Sequence, residues 1–220
     1  MTRAAPQASR PVVHLLRHGE TGWNALRRMQ GHADAPLNDV GRAQAVASAE
    51  RLAAASLARI VSSDLTRARD TALCVARATS LDVALDGRLR EQGLGEWQGL
   101  TFAEARARDP EVAERFAARD PAARPPGGET RAEMQARAWE ALEAWAAPGV
   151  PGPILLVTHG GVIQALVYRV LGLALDVPRR FLLPNAGLST LVERRGVWYV
   201  RALSDTAHLP FADDDSFPFE

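Results

Sequence analysis

The sequence predicts an α/β fold with a mainly parallel sheet, and three observations predict it. Short apolar runs of strand length alternate with stretches whose apolar residues recur at helical spacing. The most apolar runs are bounded by Pro or Gly, as buried strands are. Cap-forming Asn, Ser and Thr stand where the helical patterns begin.

In chain order, Val12–Leu16, between Pro11 and Gly19, predicts the first buried strand. Residues 20–36 have mixed polarity with Gly22, Gly31 and Pro36, and predict mostly loop. Asn38 predicts the cap of a helix running through Ala43, Ala45, Val46, Ala49 and Leu52. Arg59–Val61 predicts a second strand, and Ser62-Ser63-Asp64 then offers cap chemistry for a helix from Leu65 to about Ala78. Residues 83–89 predict a short third strand. Two helical pieces meet at Asp109-Pro110, and the Pro- and Gly-rich stretch 120–130 closes a lobe over about 100–130. Thr130-Arg131-Ala132-Glu133 has capping-box spacing and opens a helix through Trp139, Leu142 and Trp145. Pro153–Val157 predicts another buried strand, and Val162–Leu171 an apolar helix. Leu188–Val192 and Val197–Leu203 predict an antiparallel pair turning at Arg195-Gly196. Residues 1–10 read as a flexible tail, 11–209 as one domain and 210–220 as an acidic, mobile tail.

Composition removes several function classes. With 26 basic and 26 acidic residues in 220, the formal net charge is zero, so no overall field draws the chain to nucleic acid or an anionic membrane. No stretch is apolar enough to span a bilayer, and the N-terminal residues lack a signal peptide's apolar core. One cysteine, Cys74, excludes a disulfide framework and a thiolate zinc site. A cytoplasmic protein is expected. Every basic residue is Arg, which excludes a P-loop lysine and Schiff-base chemistry, so an anion clamp must use Arg, His, amides or helix termini.

Two of the apolar strands end alike, the first in Arg17-His18-Gly19 and the later one in Thr158-His159-Gly160. In parallel sheets ligands bind beyond the carboxyl ends of strands. If the strands are neighbours, His18 and His159 face one pocket. Arg17 adds a cation, and the helix opening at Gly160-Gly161 adds free amides. That set describes an oxyanion pocket suited to a phosphoryl group. The competing readings are weaker. His14 and His18 lie four apart as zinc ligands on a helix do, but in a strand and beside Arg17. An acyl hydrolase would need a Gly-x-Ser-x-Gly elbow, which the sequence lacks.

These residues also carry a resemblance. Leu16-Arg17-His18-Gly19-Glu20-Thr21, with Trp23-Asn24, resembles the signature of the histidine phosphatase superfamily, the phosphoglycerate mutase-like proteins. The likeness continues through Gly41-Arg42-Ala43-Gln44-Ala45, Ser62–Ala72, Leu89-Arg90-Glu91, Gly95–Gly99 and Thr158–Gly161 to Asp205–Leu209. It implies a three-layer fold, helices on both faces of the sheet, with a small inserted helical lobe.

The resemblance also implies roles. His18 would be the nucleophile, forming a phosphohistidine. Arg17, Arg67 and His159 would hold the phosphate oxygens, with Asn24 as a further donor. Glu91 would be the general acid and base, with Glu96 as a rival five residues on. No metal or cofactor is implied. The substrate would be a small phosphate ester, and the oligomeric state is open, a homodimer included. Mutases of the family typically run Glu-Arg-x-Tyr-Gly at the acid, whereas this chain reads Glu91-Gln92-Gly93-Leu94-Gly95. That departure favours a phosphatase over a mutase. A non-catalytic phospho-ligand binder would keep Arg17 and Arg67 without needing His18 or Glu91.

Other polar and aromatic residues have plainer readings. His14 is expected to face the core and His32 to sit in a loop, while Thr21 shapes a loop. Trp139, Trp145 and Cys74 read as packing residues. Arg106, Arg108, Arg115 and Arg119 read as a solvated helix face.

Overall fold

The computed structural model describes residues 11–209; the two terminal tails expected from the sequence lie outside the described residues. Six strands, among the described residues, form one mixed sheet in the order β3-β2-β4-β1-β5-β6. Strands β1 (Val13–Arg17), β2 (Arg59–Ser62), β3 (Val83–Leu85) and β4 (Ile154–Thr158) run parallel. Strands β5 (Leu188–Arg194) and β6 (Val197–Asp205) complete the sheet antiparallel, joined at Arg195-Gly196.

Strand alternation divides the core into two layers. On one face Val13, Leu15, Val61, Ile154 and Leu156 pack against α6 (Arg131–Trp145) and α7 (Gly160–Leu171). On the other, Leu16, Ile60, Leu155 and Val157 pack against α2 (Asp39–Ala53) and α3 (Thr66–Thr79). Successive strand residues serve opposite helix layers, which is why β1 and β4 are apolar without alternation. A third cluster, with Met29, Trp97 and Phe116 at its centre, is built around α4 (Phe102–Arg108) and α5 (Pro110–Ala117). Among the described residues no helix is long and apolar enough to cross a membrane.

Local chemistry sets several boundaries as expected. Asn38 accepts from the Gly41 N–H at 2.8 Å to cap α2. Thr130 and Glu133 form a reciprocal capping box on α6. Pro110 opens α5, where its missing N–H costs no helical bond.

One expectation is refined and two are corrected. The loop over 20–36 contains a short helix α1 (Gly22–Ala25), closed by a Thr21/Asn24 capping box. The third strand stops at Leu85, and residues 87–89 form a 3-10 turn capped by Asp86. The cap of α3 is not local: Asp34 accepts from the Thr66 N–H at 2.7 Å and from its hydroxyl at 2.5 Å. Ser63 and Asp64 are free for other work because a carboxylate 32 residues upstream takes the helix end.

Two glycines let segments meet without a side chain between them. A Cβ on Gly41 would lie 2.0 Å from the Glu20 carbonyl oxygen, and one on Gly19 would lie 2.4 Å from that of Gly41. The start of α2 therefore packs directly on the loop that follows β1.

Candidate active site

The register of β1 against β4 sets the site. Arg17 stands opposite Thr158, and the His18 N–H donates to the Thr158 carbonyl at 2.9 Å. The next residue on each strand is a histidine, so the two imidazoles are adjacent, with ring centroids 5.1 Å apart and planes at 61°. Both lie where the chain leaves the sheet in opposite directions: β1 leads to β2 on one side, while β4 leads through α7 to β5 on the other. This is the crevice at which ligands are expected in such sheets.

A hydrogen bond fixes the tautomer of His18. His18 Nδ1 lies 2.7 Å from the Gly19 carbonyl, which only accepts, so Nδ1 carries the proton and Nε2 the lone pair. His159 Nε2 lies 2.9 Å from the Ser63 hydroxyl, while its Nδ1 is buried without a partner. Ser63 Oγ also receives the Leu65 N–H at 3.4 Å. Burial, then the Arg67 charge, lowers both histidines well below their usual range; Arg17 adds to this at each, and at His159 so does His18.

Two arginines flank them. Arg17 donates to the Leu183 carbonyl. Arg67, in the first turn of α3, donates to the carbonyls of Ala33 at 2.9 Å and Gly31 at 2.8 Å, while its Nε is buried without a partner. Burial pulls its pKa down to about 10, partly offset by Glu91 and Asp34, so it stays charged at neutral pH. Asn24 is buried at the cleft wall with Oδ1 engaged by the Thr21 N–H at 3.1 Å. Its NH₂ is thus the free donor. Thr21, capping α1, is spent on this local structure.

Glu91 sits at the N-terminus of α7. Its carboxylate accepts from Gly161 N–H at 3.0 Å and Gln92 N–H at 2.8 Å. The amides expected to await the ligand are therefore partly taken by this carboxylate. A Cβ at Gly161 would come within 2.3 Å of its oxygen, so glycine there makes room for the acid. The backbone of the Glu91 loop is framed from α6. Arg137 donates to the carbonyls of Arg88 at 2.8 Å, Arg90 at 2.6 Å and Glu91 at 2.8 Å, and pairs with Glu129. Glu129 accepts the Gly93 N–H at 2.8 Å.

A cleft of about 890 Å³, open mouth included, joins these groups. Arg17, His18, Asn24, Arg67 and Glu91 line it together with Gly160 and Gly161; His159 is fully buried beside His18. Glu96 does not reach it, being exposed and paired with Arg108. The lobe arginines form surface pairs, Arg106 with Glu114 at 2.5 Å and Arg115 with Asp120 at 2.8 Å.

Several site residues escape the sequence reading. Asn185 donates to the His18 carbonyl at 2.9 Å and Ser63 orients His159. His32, expected as an ordinary loop residue, donates Nε2–H to the Glu91 carbonyl at 2.8 Å. Ser63 could have been found, since it follows β2 beside β4 and obeys the same strand-end rule as the histidines. Asn185 and His32 carry no such signal. His14 is bonded to Thr190 at 3.0 Å and only half-buried, and Cys74 is half-buried as well. Trp139 and Trp145 pack partly buried against the core.

The arrangement can do one kind of chemistry well: a lone pair on a buried imidazole stands among fixed cations, with a carboxylate across the cleft. Comparison with known proteins agrees. A glucosyl-3-phosphoglycerate phosphatase of Mycolicibacterium vanbaalenii is 45% identical over 170 residues, 74% of this chain and 75% of that one. A metal-independent phosphoserine phosphatase of Arabidopsis thaliana is 36% identical over 200 residues, 90% of this chain and 82% of its own. The solved structure of Bacillus stearothermophilus YhfR superposes with a TM-score of 0.84 at 34% identity, covering 90% of this chain and 98% of that one. The profile of the histidine phosphatase superfamily (branch 1) matches residues 13–206, and the chain belongs to that family.

Proposed function

We propose that the chain is a phosphomonoesterase that works through a phosphohistidine on His18, without a metal. The observation that carries this is the Nδ1–H bond from His18 to the Gly19 carbonyl, which leaves Nε2 as a neutral nucleophile in a cleft walled by Arg17 and Arg67.

In the first step His18 Nε2 attacks phosphorus, the ester P–O bond breaks, and Glu91 gives its proton to the leaving oxygen. In the second, Glu91 takes a proton from water as the water oxygen attacks phosphorus; the P–N bond breaks, releasing phosphate and neutral His18. Arg17, Arg67, His159 and the Asn24 amide hold the non-bridging oxygens. The lowered basicity of His18 keeps it unprotonated and ready to attack at neutral pH. Residues 11–209 act as one catalytic domain with 100–130 as its cap, and the single-cysteine composition supports a cytoplasmic enzyme acting on small phosphate esters. A homodimer is compatible with this reading.

The relatives named above as phosphatases support hydrolysis over transfer. So does the Glu91-Gln92-Gly93 segment, where Gln92 is tied to the Glu129 carbonyl at 2.8 Å. The test is labelling with ³²P-substrate. Acid-labile phosphate is expected on His18 and is expected to pass to water. Passage to added phosphoglycerate would make the enzyme a mutase. Absence of label, with ligand still bound, would make it a binding module.

A further inference from the structure

Residues 31–34 touch both halves of the site. The carbonyls of Gly31 and Ala33 accept from Arg67 at 2.8 and 2.9 Å, and the Asp34 carboxylate caps α3, the helix that carries Arg67. The side chain between those two carbonyls turns to Glu91 instead. His32 Nε2 lies 2.8 Å from the Glu91 carbonyl oxygen and 3.7 Å from Glu129 Oε1. A carbonyl and a carboxylate only accept, so Nε2 carries the proton and donates. The neighbouring backbone holds the ring in place. The His32 N–H donates to Gln98 Oε1 at 2.6 Å, and the ring lies against Gly93, where a Cβ would come within 3.3 Å of Cε1.

The bond to the Glu91 carbonyl reaches further than that oxygen. The Glu91 carbonyl and the Gln92 N–H are the two ends of one peptide unit, and the Gln92 N–H donates to the Glu91 carboxylate at 2.8 Å. A peptide unit is planar, so a donor that fixes its oxygen also fixes the direction of its N–H. Donation to the oxygen polarises the unit as well and strengthens the bond that its N–H gives. His32 is therefore connected to the carboxylate of Glu91 through a single peptide bond. Arg137 donates to the same oxygen from α6 at 2.8 Å, so two separate elements grip it. With Arg137 left in place, loss of the imidazole loosens this peptide without freeing it.

Glu91 and Gln92 line the cleft, whereas His32 does not, so any effect of the imidazole on the reaction passes through Glu91. Resting on the phosphatase reading, we propose that His32 is a positioning residue for Glu91, holding its carboxyl group where the leaving oxygen takes up a proton.

The test measures kcat/KM of the full chain, which covers cleavage of the ester P–O bond, on phenyl phosphate and p-nitrophenyl phosphate. Phenol is the poorer leaving group and depends more on a delivered proton. His32→Phe keeps a flat ring and removes the donor. It is expected to lower kcat/KM on phenyl phosphate about 10-fold, the worth of one hydrogen bond, and on p-nitrophenyl phosphate by roughly twofold or less. His32→Gln, whose amide N–H has a similar reach, should recover most of the loss. In a Glu91→Gln background, His32→Phe should cost almost nothing more, because the group it positions is gone. Equal losses on the two esters in His32→Phe, or no loss at all, would overturn the proposal. So would losses that multiply in the double variant, or a Gln variant no better than Phe. Equal losses on the two esters in Glu91→Gln alone would overturn the acid role and the proposal with it. A wild type that turns over neither ester would instead overturn the phosphatase reading.

Discussion

Replacing Glu129 by Gln probes the frame that holds Glu91, the proposed general acid. Burial alone would raise the Glu129 pKa. The hydrogen-bonding groups of His32, Arg137 and the Gly93 N–H more than offset this and hold its carboxyl at about 2, against 4.5 ordinarily. That gap corresponds to about 3 kcal/mol of folding stability. Because the folded-state value is depressed, the contribution is complete above pH 4.5 and is lost as pH falls from 4.5 towards 2. Glu129→Gln cannot titrate and leaves the Arg137 guanidinium with carbonyl partners alone. Urea unfolding at a series of pH values should find the variant about 3 kcal/mol less stable at pH 7. The two proteins should converge near pH 2. Because Arg137 and Glu129 together hold residues 88–93, kcat should also fall, more for esters with poor leaving groups than for p-nitrophenyl phosphate. Parallel stability curves for the two proteins from pH 7 to pH 2 would refute the reasoning.

Three further outcomes are expected. Glu91→Gln should slow esters with poor leaving groups by 10²-fold or more and activated esters much less; equal losses across a leaving-group series would remove it from the acid role. Burial and the charges of Arg67 and Arg17 lower His18, so an NMR titration of the free protein should find its ring still neutral at pH 6.5. A half-protonated ring at that pH would contradict the depressed basicity. Turnover should survive EDTA, because the arginines neutralise the phosphate; loss of activity restored by zinc would refute the metal-free mechanism.

Features that depend on residues close together in sequence were legible. Asn38 and the Thr130–Glu133 box mark helix starts because a cap is a contact across three residues. The apolar runs ending in His18 and His159 mark the site, because strand ends are where such sheets bind ligands. Ser63 and Asp64 show where that logic stops. They have the chemistry of a local cap, yet Ser63 orients His159 and Asp64 pairs with Arg90, since Asp34 occupies the helix end first.

By itself the sequence determined the α/β class, the two histidines at strand ends with Arg17 beside one of them, and the exclusion of lysine chemistry, all of which follow from residue type and short-range pattern. Tertiary structure alone decided the pairing of His159 with Ser63 and the placing of Glu91 on the first amides of α7. Those depend on partners tens of residues away, such as Ser63 for His159 and Gly161 for Glu91, and a hydrogen bond across that distance leaves no periodicity in the chain.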